Sequence, residues 1–213
     1  MDGIIRSADE TSWKLTIAFM GGLLYLWGWL LVNVPELQRI AVVYEFMTFL
    51  AVMIGGLAHV GARHFGVLGF PSLKEIPTTT AVGATVGLLW LIIGGQIARL
   101  AGMQVTFYQT LPPLIAYFFA FAIASTEETL LRGAVLPSLT TMCGKLTAIM
   151  LTSIMFSALH WLAFNAQLPF LLSAFLFSII ISALTLHYRT AWVAGAAHIT
   201  YNLVTLYFLI GAP

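Results

Sequence analysis

From Leu15 onward the sequence is a succession of apolar runs about twenty residues long, set apart by short polar turns, and few folds accept that pattern. Such a run, almost free of charge, is read as a membrane-crossing helix. The composition agrees: of 213 residues, 60% are hydrophobic and only 8% are charged, far from the balance of a soluble globular domain. The runs predict helices from about Lys14 to Val34, Ile40 to Ala62, Ala81 to Leu100, Pro112 to Pro137, Lys145 to Phe164, Pro169 to Leu186 and Thr190 to Ile210. The expected fold class is therefore all-α, a polytopic membrane protein built as a bundle of about seven transmembrane helices. Met1 to Trp13 is a short polar head. The first run is longer than the apolar part of a signal peptide and lacks an Ala-x-Ala cleavage pattern, which predicts a retained first helix.

Within this frame, local signals predict finer features. Pro112 and Pro113 suit a first helical turn, where a missing amide hydrogen costs nothing. The stretch from Pro137 to Gly144 is expected to close that fourth helix. Gly83-xxx-Gly87 is the spacing of a close helix contact. In the second run, Glu45 and His59 are expected near opposite ends, within reach of interfacial water or in a supporting role. The sixth run carries no charge and reads as lipid-facing packing. The N-terminal head and the second, fourth and sixth loops hold Arg6, Lys14, Arg63, Lys74, Lys145 and Arg189, while the other side holds Arg39 and Arg99. By the positive-inside rule the N-terminus lies in the cytoplasm.

The net charge of +1, with no basic stripe, excludes a nucleic-acid partner, since nothing could neutralise a phosphate backbone. Cys143, the only cysteine, excludes an intrachain disulfide and a cysteine-rich zinc cage.

Against this apolar background, Ser125-Thr126-Glu127-Glu128-Thr129-Leu130-Leu131-Arg132-Gly133 stands out. An ionisable group near a bilayer centre costs roughly 2.5–3.5 kcal/mol on insertion scales, so it is normally kept only where it is paired and useful. Glu128 and Arg132 are four apart in the favourable order for a helical ion pair. Glu127 lies about 100° round the helix and needs a partner from elsewhere.

Candidate partners stand on later runs. His198 and Asn202 are spaced i, i+4 and share a helix face, and His160 follows Phe156 by four. At 1.5 Å per residue, Glu127 lies roughly 15 Å before Pro137, His160 roughly 22 Å after Lys145 and His198 roughly 12 Å after Thr190. These depths coincide if Lys145 begins outside the hydrocarbon, where a lysine can snorkel to water. A glutamate and a histidine form a working general acid/base pair, able to take a proton from water and return it to a leaving amine. His198 and Asn202 add donors of the kind that hold an oxyanion. Amide hydrolysis is the reaction these parts would serve. A serine mechanism has no Gly-x-Ser-x-Gly elbow to support it. A zinc site held by Glu127, His160 and His198 is the alternative to a metal-free centre, although no His-Glu-x-x-His is present.

In the motifs Glu127-Glu128-Thr-Leu-Leu-Arg132, Phe156-Ser-Ala-Leu-His160 and His198-Ile-Thr-Tyr-Asn202 the sequence resembles the CPBP family of intramembrane proteases. That family includes the type II (Rce1-like) CaaX prenyl endopeptidases and the Abi proteins associated with bacteriocin immunity. The resemblance covers roughly Leu111 to Phe208. It implies that residues 111–213 form the catalytic core and that residues 1–110 supply accessory helices within one integral membrane domain. It further implies that Glu127 with His160 activates a water, that His198 with Asn202 stabilises the oxyanion, and that Glu128 with Arg132 orients the site, with Phe156 in support. No cofactor is needed on this reading, and zinc is the alternative. The implied partner is a membrane-attached peptide, or the terminus of a membrane-anchored protein, in a bilayer that is expected to be a bacterial cytoplasmic membrane. A non-hydrolytic immunity or scaffold protein retaining the motifs is the competing class. A proton-coupled carrier would need an inverted repeat with broken helices, which the sequence does not display.

Overall fold

Ser72 and Glu75 open the first helix in the computed structural model, which describes residues 71–100, 113–163 and 168–210. The Glu75 carboxylate reaches back to accept from the Ser72 amide (2.9 Å) and hydroxyl (2.7 Å), the reciprocal half of a capping box. Helix α1 then runs Ile76–Leu100, beginning five residues before the expected Ala81. The physical reason is that Pro77 is tolerated in a first turn, and the Thr79 hydroxyl bonds the Glu75 carbonyl at 2.7 Å.

Helix α2, Pro113–Glu128, passes directly into a π-helical turn, Thr129–Val135, and then into α3, Leu136–Cys143. The stretch from Pro137 to Gly144, expected to close this helix, does so at Gly144 and not at Pro137. At the end of the π turn the Leu136 amide bonds the Leu131 carbonyl, five residues back. Pro137 thus sits in the first turn of a renewed α-helix, where its missing amide does no harm. The true stop is Gly144, whose φ of +82° no residue with a Cβ adopts readily.

Helices α4 (Lys145–Ala163), α5 (Leu168–Tyr188) and α6 (Trp192–Ile210) follow the expected runs within two residues at each end. Among the described residues the structure is all-α, with no strand. The first two expected helices, with Glu45 and His59, lie outside the described residues.

Packing fixes the helix directions. A Cβ on Gly83 would strike the Val193 carbonyl oxygen and the Ala196 Cβ, and one on Gly87 would strike the Ala197 carbonyl oxygen, so α1 and α6 touch backbone to backbone and run parallel. The Trp192 indole donates to the Thr80 hydroxyl at 2.7 Å across the same seam. Helices α4 and α5 are separated by four residues and joined by a bond from the Ser157 hydroxyl to the Leu171 carbonyl (2.8 Å). Trp90, Leu131, Phe156, Phe177 and Ala197 form the centre of the main core, which draws on α1, the π turn, α4, α5 and α6. Helix α5 therefore corrects the lipid-facing expectation. Its Ser173, Phe177, Ser178, Ile181, Ser182 and Thr185 are buried, although Leu172, Leu176 and Ile180 do face outward.

Two of the described helices, over Ile76–Ile97 and Leu168–Tyr188, are long and apolar enough to cross a membrane.

Candidate catalytic site

Glu128 ends α2, and its carboxylate is enclosed, at 1% residue exposure, beside a fully buried Arg132. Arg132 Nη1 donates to Glu128 Oε1 at 3.0 Å and lies 3.0 Å from Oε2 as well. The opposite edge of the guanidinium faces α5, where Nη2 donates to the Ser178 hydroxyl and Nε to the Ser182 hydroxyl at 3.4 Å. The plane lies over the Phe156 ring, with Cζ 4.5 Å from the ring centroid. Arg132 is thus held from three helices.

His198, from α6, brings Nδ1 to 2.8 Å from the same Glu128 Oε1. Glu128 is therefore shared by an arginine of its own helix and a histidine of another. Because a carboxylate only accepts, the proton of this bond sits on His198 Nδ1, and Nε2 is the ring atom turned to other chemistry. Glu127 Oε2 lies 3.9 Å from His198 Nδ1. That oxygen is buried and makes no hydrogen bond among the described residues.

His160 is set by α4 itself. Its Nδ1 bonds the Phe156 carbonyl at 2.8 Å, which again places the proton on Nδ1 and the lone pair on Nε2. The Phe156 ring, 2% exposed, packs against His160 (centroids 4.4 Å apart) and edge-on to His198 (5.6 Å). One aromatic ring thus spaces both histidines and underlies the arginine.

The structure therefore gathers Glu127, Glu128, Arg132, Phe156, His160 and His198, drawn from α2, the π turn, α4 and α6. Asn202 lies one turn beyond His198 on α6, and its amide donates to the Ala120 carbonyl of α2 at 3.4 Å. Sequence reasoning missed Ser178 and Ser182. Their i, i+4 spacing, continued by Thr185 on the same face of a charge-free run, is the signal that could have found them.

Both histidines orient Nε2 in the manner of metal ligands with Nδ1 tied back. Among the described residues no three His, Cys, Asp or Glu side chains stand closely enough together to hold an ion as they are placed.

Residues 109–204 match the family model described as type II CAAX prenyl endopeptidase Rce1-like, a span that includes every residue of this cluster. No curated protein and no solved structure matches the chain.

Proposed function

We propose, from the match of residues 109–204 to the Rce1-like family of type II CAAX prenyl endopeptidases, that the chain is an intramembrane endopeptidase using a glutamate- and histidine-activated water. Its substrate is a small membrane-attached peptide or the terminal segment of a membrane-anchored protein. The observation that carries the reading is the sharing of Glu128 Oε1 between Arg132 and His198, beside the unbonded Glu127 Oε2. A structural ion pair needs neither the histidine nor the second carboxylate.

In this mechanism the Glu127 carboxylate takes a proton from water while the water oxygen attacks the scissile carbonyl carbon. The carbonyl π electrons move onto oxygen, giving a tetrahedral oxyanion. His198 donates to that oxyanion through Nε2–H when both ring nitrogens are protonated, with Glu128 balancing the charge at Nδ1. Asn202 joins it by turning its amide away from Ala120. The carbon–nitrogen bond then breaks, and the amine leaves with the proton that Glu127 had taken. His160 Nε2 holds the water or relays that proton. Residues 111–213 carry this chemistry. Residues 1–110 complete a bundle of about seven membrane helices in a bacterial cytoplasmic membrane, with the N-terminus in the cytoplasm.

The test compares Glu127→Gln, His160→Ala and His198→Ala with wild type for cleavage of a membrane-attached peptide at equal folded yield. Loss in all three is expected. Cleavage that persists in Glu127→Gln removes the base from the mechanism, and a wild-type chain that cleaves nothing returns the protein to the scaffold class. Exhaustive chelation is expected to leave activity intact; loss restored by zinc would replace the metal-free mechanism.

A further inference from the structure

The geometry points to Ser178 and Ser182 of α5 as positioning residues that decide which edge of the Arg132 guanidinium meets Glu128, and thereby keep His198 on Glu128 Oε1. Arginine normally grips a carboxylate with two parallel N–H groups, one to each oxygen. Here a single nitrogen, Nη1, donates to Glu128 Oε1 and lies 3.0 Å from Oε2, which makes no hydrogen bond among the described residues, while Nη2 and Nε are committed to the serines. That leaves Oε1 open along a second direction, and His198 Nδ1 uses it at 2.8 Å. Without the two hydroxyls, the guanidinium can swing its Nε/Nη2 edge onto the carboxylate, take both oxygens and displace the histidine. Arg132 also lies in the π turn, where residues four apart sit at a different angle from those of an α-helix, so its side chain depends on partners outside its own helix. Both serines are fully buried, which suits a fixed clamp in the protein interior.

This inference rests on the protease reading only for its kinetic consequence, and the experiment separates the two. The full chain, labelled with nitrogen-15 at histidine and held in lipid nanodiscs, is observed by NMR, with His198 assigned by its disappearance in His198→Ala. Wild type is expected to display a hydrogen-bonded His198 Nδ1–H, and Ser178→Ala/Ser182→Ala to lose it. Ser173→Ala, a buried hydroxyl lost from the same helix, should leave it in place. With a farnesylated CaaX peptide as probe, the double variant should lower kcat on the order of tenfold with KM changed less than about twofold, the pattern of a mispositioned catalytic group. Ser178→Thr, which keeps the accepting oxygen, should restore it. If the double variant does not fold, Ser178→Ala alone is read in the same way. An unchanged Nδ1–H signal in the serine variant overturns the inference, as does an equal loss in Ser173→Ala. A wild-type chain that leaves the probe intact counts against the protease reading, while the NMR result still decides the clamp.

Discussion

Glu127 and Glu128 are neighbours in the chain and opposites in their surroundings. Glu128 is enclosed and shared by Arg132 and His198, whereas the Glu127 side chain is 24% exposed and approaches His198 only to 3.9 Å. Removing one member of a buried ion pair costs about 3–5 kcal/mol, because the remaining charge is stranded. Glu128→Gln keeps one accepting oxygen, so its expected cost is at the lower end, about 3 kcal/mol, while Glu127→Gln should stay within about 1 kcal/mol. Thermal unfolding in detergent checks this, and equal midpoints for the two variants would contradict it. The Glu128/Arg132 contact was legible in the sequence because i, i+4 spacing brings side chains together on a helix whatever surrounds them. The contact of His198 with Glu128 was not, because it depends on how α6 is rotated against α2. Ser178 and Ser182 escaped a reading that weighed charge, since their value is as acceptors for a guanidinium from another helix.

At the scale of elements, run length and polarity located three helices to within two residues at each end, while the stretch from Pro137 to Gly144 stops the helix only at its far end. Proline marks a helix end when the backbone ladder is α throughout; the π turn resets that ladder at Leu136 and makes Pro137 a first-turn residue. Gly83 and Gly87 announced a close contact by spacing, and the partner proves to be α6, the helix that carries His198. Gly87→Val should therefore force the two backbones apart, at a cost of about 1–3 kcal/mol or more. Gly95→Ala, which meets nothing within 4 Å, should be neutral or stabilising by up to about 1 kcal/mol through helix propensity. Melting of the two variants compares them directly, and similar losses would refute the backbone contact. The start of α1 carries a pH dependence. Hydrogen bonds from Ser72, first from its hydroxyl and then from its amide, hold the exposed Glu75 carboxyl below the ordinary glutamate value. A lowered folded-state pKa means that the cap is fully stabilising above the ordinary glutamate range and is lost as pH falls through the lowered value. The amide-exchange protection of Ser72 should fall over that acidic window, and in Glu75→Gln it should show no such step.

Across the whole molecule, polarity is arranged inside out. Arg132, Glu128, Ser153, Ser178, Ser182 and His198 are buried, while Leu88, Leu89, Ile92, Ile93, Ile154 and Leu172 face outward, as a lipid solvent requires. The helix directions then give the bundle a polarity along its axis. Parallel α1 and α6 bring Lys74 and Glu75, at the start of α1, to the end of the bundle where Arg189 joins α5 to α6. The antiparallel step from α4 to α5 puts Lys145 at that same end, and Gly144 places Cys143 beside it. Lys74, Lys145 and Arg189, three of the cations that the loop count placed on one side, thus stand at one end of the described bundle, and the proposed orientation puts that end in the cytoplasm. Cys143 is exposed and is the only cysteine, so it reports the side without any engineered label. A membrane-impermeant maleimide should leave it unmodified in intact bacterial cells and modify it in inverted membrane vesicles. Arg99, toward the far end of α1, supplies the complementary site: Arg99→Cys in a Cys143→Ser background should be modified from the outside instead. Modification of Cys143 in intact cells would reverse the orientation while leaving the helix packing, and the cluster around Glu128, as they stand.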